Sequence, residues 1–250
     1  MDFHKLFSIR YDSWASLEKE IEALTTPNER GAVFEQFVYR YFLLHQDYYQ
    51  ISEVYPEKEI PPNYKEVLKL EKTDYGVDGI FVKKDGTFTA YQAKFRTNRG
   101  TPTVRELSTF WTEGEYADYR CIIANCEDLP EVAQKKSGSI QILARDFDKL
   151  DSEFFDNLQR MYEGSKPVKP KPAEPDKYQI RMIERIVEGF KTSDRGKLIA
   201  ACGIGKTLVS LWTVENLESK KILFLAPSLA LIKQTLEEWD RHSKTGFSYL

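Results

Sequence analysis

Four prolines within thirteen residues divide this chain before anything else in it can be read. They lie in Gly164-Ser-Lys-Pro-Val-Lys-Pro-Lys-Pro-Ala-Glu-Pro-Asp176. Each proline removes a backbone donor and holds φ near one value, so the stretch cannot be helical and is expected to run as an extended, semi-rigid linker. The expected organisation is a first domain over 1–163, a linker over 164–176 and a second segment over 177–250. A chain of 250 residues is long enough for two proper cores.

Charge follows the same division. Residues 1–162 carry 21 basic and 28 acidic side chains, a balance of −7, while residues 163–250 carry 15 and 11, a balance of +4. An acidic first part is poorly suited to holding nucleic acid by itself, because phosphate contacts need Lys and Arg. No apolar run is long enough to span a bilayer, so no membrane partner is expected. The start MDFHKLF lacks the apolar core of a secretory signal. Three scattered cysteines, Cys121, Cys126 and Cys202, suggest reduced thiols in a cytoplasmic protein, and no Cys/His pair has zinc-ligand spacing.

In the first part a helix capped by Thr26 or Asn28 is expected to run to about Leu44, with Phe34, Phe37, Val38, Tyr41 and Phe42 at helical spacing. Strands are expected at Ile80–Val82, Thr87–Phe95, Arg120–Ala124 and Ile140–Leu143. Helices are expected at Val104–Tyr116, Glu131–Lys136 and Phe147–Tyr162. That order implies an α/β domain, a mixed sheet with helices on its faces. Beyond the linker, helices at Tyr178–Phe190, Lys206–Leu217 and Ser228–Trp239 alternate with apolar strands at Lys197–Ala201 and Ile222–Ala226. Strand, loop, helix, strand, helix is the opening of a parallel doubly wound sheet, and it stops after two strands.

The first chemical constellation is Gly76-Val-Asp78-Gly-Ile followed, after a turn, by Tyr91-Gln92-Ala93-Lys94. On a strand Gln92 and Lys94 share one face, and Tyr91 and Ala93 the other. The turn at Lys84-Asp85-Gly86 decides where Asp78 stands. A two-residue turn sets Asp78 opposite Ala93. A three-residue turn ending in Gly86 sets it opposite Gln92, and this is the expected form. Hydrolysis of a phosphodiester needs a metal to activate water and neutralise charge. Asp78 supplies a carboxylate oxygen, Gln92 an amide oxygen and Ala93 a backbone carbonyl, a donor set suited to magnesium. Lys94 could hold the attacking water or oppose charge in the transition state. Glu35, at the border of its helix's apolar stripe, could reach the site as a ligand or through a metal-bound water. Arg96, Arg99 and Arg105 follow Lys94 and are candidates to grip neighbouring phosphates.

The second constellation is Ala200-Ala-Cys-Gly203-Ile-Gly205-Lys206-Thr207, between an expected strand and an expected helix. This is the context of a phosphate-binding loop: N–H groups at the helix N-terminus cradle phosphates, Lys206 reaches the β and γ oxygens, and the Thr207 hydroxyl ligates magnesium. Ala200 stands where the simplest pattern has Gly.

A helix Glu, then Gly-x-Asp-Gly-Ile, then Gln-x-Lys on a hairpin strand resembles the Mrr-type branch of the PD-(D/E)XK nucleases. The resemblance implies that fold over roughly residues 25–145 and magnesium-dependent DNA cleavage, with Asp78, Gln92 and Lys94 in the catalytic positions and Glu35 carried over less directly. Tyr178-Gln179 resembles the adenine-reading element of superfamily 2 helicases, which implies that Gln179 reads the base of ATP. Ala226-Pro-Ser228 resembles their motif Ia, which implies a contact of Ser228 with the DNA backbone. Together the two parts resemble the type ISP restriction–modification enzymes. That implies double-stranded DNA as partner and, in the same polypeptide, the rest of the motor, a methyltransferase and a target-recognition domain. On this reading residues 177–250 open a RecA-like motor domain without its third-strand Asp-Glu pair or a second domain's arginine finger, so ATP hydrolysis by these residues alone is not expected. Two alternatives stay open: a translocase or helicase whose nuclease-like domain only binds DNA, and a nucleotide-binding module in which the hairpin has no chemistry.

Overall fold

A computed structural model describes residues 6–70, 76–168, 171–201 and 203–244. The chain forms two units, Met1–Val168 and Lys169–Leu250, with the division inside the proline-rich stretch.

The first unit is a mixed α/β domain built on a five-stranded sheet in the order β1-β2-β3-β4-β5. The strands are β1 (Ile51–Pro56), β2 (Gly79–Lys83), β3 (Phe88–Lys94), β4 (Tyr119–Ala124) and β5 (Ser139–Ile142). β1, β2 and β3 are antiparallel neighbours, whereas β3, β4 and β5 run parallel. Parallel neighbours need crossovers, and α4 (Val104–Glu113) and α5 (Glu131–Gln134) provide them.

One face of the sheet carries α1 (Trp14–Glu22), α2 (Pro27–Leu44), α6 (Ala144–Phe147) and α7 (Ser152–Tyr162). Its core is dominated by rings: Trp14 lies 4.9 Å from Phe37 and 4.8 Å from Phe147, and Phe42 lies 5.1 Å from Tyr91. Helix α2 begins as its residues prescribe. Pro27 sits in the first turn, the Thr26 hydroxyl accepts from the Glu29 N–H, and the Glu29 carboxylate accepts from the Thr26 N–H. The opposite face is covered by α4, α5 and the short helix α3 (Pro62–Val67), burying Ile80, Ala90, Leu107, Phe110 and Ile122.

Helices α1, α3 and α6 and strand β1 are not among the elements expected from the sequence. The helix expected over Phe147–Tyr162 begins later, at Ser152, because Asp151 caps its start, accepting from the Phe154 N–H at 3.0 Å.

The second unit holds α8 (Lys177–Phe190), α9 (Lys206–Asn216) and α10 (Leu229–His242), packed around Ile183, Val209, Leu211, Trp212 and Trp239. The expected strands Lys197–Ala201 and Ile222–Ala226 are not strands: among the described residues neither forms a ladder. Ile199, Leu223 and Leu225 are each at least 80% exposed. A helix closes its hydrogen bonds within itself, whereas a strand requires a neighbour. The three helices therefore form and the two apolar segments do not pair.

Candidate functional site

The β2–β3 hairpin has the three-residue connection that brings Asp78 beside Gln92. Gly79 pairs with Tyr91 and Val82 with Phe88, and the Lys83 N–H donates to the Thr87 carbonyl at 2.9 Å, leaving Lys84, Asp85 and Gly86 between. Gly86 takes φ +88° as such a turn requires. Asp85 holds the turn by accepting from the Thr87 N–H and hydroxyl, and these bonds lower its carboxyl pKa.

Asp78 stands immediately before β2 begins, beside the part of β3 that runs on past the pairing. Its N–H donates to the Tyr91 carbonyl at 3.0 Å and its carbonyl accepts from Glu57 at 2.9 Å. Its Oδ2 accepts from the Ala93 N–H at 2.6 Å. The carboxylate is thus fastened to the backbone between Gln92 and Lys94. Gln92 is 1% exposed, and its Nε2 donates to the Gly76 carbonyl at 2.7 Å. Its Oε1 is buried without a hydrogen-bond partner among the described residues. Lys94 is half-buried at the end of β3 and makes no hydrogen bond or ion pair among the described residues.

Glu35 reaches this place from the other face. It is exposed on α2, which packs against the Tyr91 and Ala93 side of β3, whereas Gln92 and Lys94 occupy the opposite side. Burial pushes the Tyr91 hydroxyl pKa well up, and the Asp78 and Glu35 carboxylates push in the same direction, so both lie within electrostatic reach of that ring. Among the described residues no three His, Cys, Asp or Glu side chains form a cluster able to hold a metal. What converges is one carboxylate and one buried amide oxygen without a partner. Hard oxygen donors of this kind suit magnesium, which keeps much of its own water.

The three arginines differ in surroundings. Arg99 is tied to Glu18 at 2.7 Å, Asp148 at 2.7 Å and Glu127 at 3.1 Å. These carboxylates hold it inside the domain, a use different from the phosphate grip expected of it. Arg96 pairs with Glu106 at 2.6 Å, and its N–H donates to the buried Asn125 amide oxygen. Glu106, capping α4 at Thr103, has a lowered carboxyl pKa from the Thr103 N–H and hydroxyl and from Arg96. Arg105 is exposed on the first turn of α4. The sequence reading missed Glu18 and Asn125. Their only signal is a polar residue on an otherwise apolar face, and it acquires meaning when residues far apart in the chain meet.

In the second unit the glycine-rich loop runs into α9. Gly203 has φ +82°, and Gly205 is the N-cap of α9 in the left-handed region at φ +75°, ψ +39°. A Cβ on Gly205 would meet Gln179 Nε2 at 2.8 Å. The Lys206 ammonium donates to the Ala201 carbonyl at 2.8 Å. Thr207, at the second position of α9, accepts the Trp239 indole N–H on its carbonyl at 3.0 Å. Gln179 uses both ends of its amide: Oε1 accepts from the Asp176 N–H, and Nε2 donates to the Ile204 carbonyl at 3.0 Å. It ties the start of α8 to the glycine loop, beside a cleft lined by Asp176, Tyr178, Met182, Arg185 and Ile204. Ser228 caps α10, its hydroxyl accepting from the Leu231 N–H at 3.3 Å.

Residues 172–248 match the family model described as "Type III restriction enzyme, res subunit". The match takes in the glycine loop, Gln179 and Ser228, and lies wholly in the second unit. The fold is also similar to a solved chain described as "ATP-dependent Type ISP restriction-modification enzyme LlaBIII bound to DNA", with a TM-score of 0.73 and 27% identity over 94% of this chain. The chain spans 15% of the length of that enzyme. No curated protein matches. The family match does not extend to the first unit, whose chemistry rests on its own residues.

Proposed function

We propose that this chain is part of an ATP-dependent restriction enzyme that moves on double-stranded DNA. In this reading its second unit opens the motor, and its first unit is a magnesium-dependent endonuclease. The motor assignment is carried by the coincidence of the res-subunit match with a glycine loop shaped for phosphate. The first N–H groups of α9 lack helical partners and form an anion site, and Lys206 exchanges the Ala201 carbonyl for the β and γ oxygens of ATP. Thr207 opens the same helix with its hydroxyl available to magnesium. The likeness to an enzyme solved on DNA supports DNA as the partner.

The nuclease assignment is carried by the buried Gln92 Oε1, without a hydrogen-bond partner among the described residues, on a residue that pairs with Asp78 across the hairpin and lies two positions before Lys94. Bound magnesium activates water and neutralises charge on a phosphodiester. Asp78 and the Gln92 oxygen would hold it, with the Ala93 carbonyl as a further donor. Lys94 would orient the attacking water and oppose the negative charge that develops. The Ala93 N–H keeps the Asp78 carboxylate from turning away. A second reading, in which the first unit only binds DNA, is favoured by the confinement of the family match to the motor.

Plasmid nicking separates the two readings. The chain is incubated at high concentration with magnesium or manganese, beside Asp78→Ala and Lys94→Ala, and the same three are built into a longer, ATP-hydrolysing form. Nicking lost in both variants supports the nuclease. ATP-dependent movement without cleavage in the longer form, together with metal-independent DNA affinity, supports the binding module. Lys206→Ala is expected to abolish nucleotide binding, and retained binding would overturn the motor assignment.

A further inference from the structure

An amide can stand either way round in a site, because its oxygen and nitrogen ends have the same shape. A carboxylate has no wrong way round. Gln92 therefore needs something to decide which end is tied down, and the structure contains it. The Gly76 carbonyl accepts Gln92 Nε2 at 2.7 Å, which turns the nitrogen end to Gly76 and leaves Oε1 buried without a partner among the described residues. Gly76 itself has φ +92°, and a Cβ there would lie 2.8 Å from Nε2 with the Phe110 backbone behind it at 3.7 Å. Two residues on, the backbone is fastened by the bonds of Asp78 to Glu57, Tyr91 and Ala93, which hold the carbonyl's aim.

We propose that Gly76 is a positioning residue. Its carbonyl orients the Gln92 carboxamide so that the oxygen, and not the nitrogen, meets a divalent cation held with Asp78. This rests on the nuclease reading above. It assigns the glycine a second task besides its positive φ, and it explains how a neutral amide serves as a metal ligand.

The test begins with the wild-type chain. Its Gln92 side-chain amide is located in a 1H–15N spectrum by difference from Gln92→Leu. One Nε2 proton is expected to be protected from solvent exchange. In Gly76→Ala that protection is lost, and the manganese concentration giving half-maximal nicking rises about tenfold or more, as for other groups that orient metal ligands. The saturated rate should change less. Should Gly76→Ala not fold, Gln92→Glu carries the test. Its carboxylate presents an oxygen to the cation either way round and needs no carbonyl to orient it, so the manganese requirement should not rise. A Gln92 amide that exchanges freely in the wild type would overturn the proposal alone, as would a manganese requirement raised about tenfold in Gln92→Glu. A protected amide in a wild type that neither nicks nor shows manganese broadening at Asp78 would overturn the nuclease reading and the proposal with it.

Discussion

Replacing Arg99 with alanine would strand Glu18, a carboxylate on α1 that is 7% exposed. Arg99 bonds it through Nε and Nη2 at 2.7–3.1 Å. Removing one partner of a buried ion pair costs about 3–5 kcal/mol. Two features pull the figure down. The Arg99 side chain is 25% exposed, and Glu18 keeps the Asn125 amide donor at 2.8 Å. Asp148 and Glu127 have side chains 43% and 63% exposed, and such pairs contribute up to about 1 kcal/mol. A loss of about 2–3 kcal/mol is therefore expected, equivalent to roughly 5–10 °C in the melting temperature of a unit this size. Urea unfolding with 5-fluorotryptophan resolves the units, since Trp14 and Trp111 report the first and Trp212 and Trp239 the second. Only the first pair should move. Glu18→Gln should cost less, because it strands no buried charge, and the double variant should cost less than the two separately. A loss within about 0.5 kcal/mol, the range of an ordinary surface substitution, would refute the internal role of Arg99.

Two further outcomes follow from the same structure. Gly79→Ala places a Cβ 2.2 Å from the Tyr91 hydroxyl and 2.4 Å from the Tyr55 carbonyl, so at least about 2–3 kcal/mol should be lost, read in the same unfolding assay; Tyr91→Phe should restore only part, since the Tyr55 backbone cannot retreat. Burial, with a smaller push from Glu20, raises the Tyr11 hydroxyl to about 12, against about 10 in the unfolded chain. A raised folded pKa means that the stabilisation is complete below pH 10 and is lost as pH rises toward 12. Tyr11→Phe should flatten stability over that window, and an unchanged slope would show that Tyr11 titrates as if exposed.

Local chemistry was legible because it depends on neighbours in the chain. The prolines fixed where the two units part. Alternation on β3 put Gln92 and Lys94 on one face, and the choice of hairpin length put Asp78 beside Gln92. Gly203, Gly205 and Lys206 announced a loop entering a helix, and the helix is there. The failures have one physical character. Strands at Lys197–Ala201 and Ile222–Ala226 were read from apolar composition, but a strand exists only with a partner's backbone, and composition does not contain the partner. Arg99 carries the same charge in an internal clasp as on a phosphate. Only the folding of α1 and the end of α6 around the loop after β3 brings Glu18 and Asp148 to it. Glu35 was read to the right helix, while the sheet's two faces decided that it comes to Tyr91 from the side opposite Gln92. Residue types and spacings determined which charged and polar groups this protein has and which of them share an element. The tertiary structure alone decided which way each group points, because orientation is set by hydrogen bonds between segments that the sequence keeps apart.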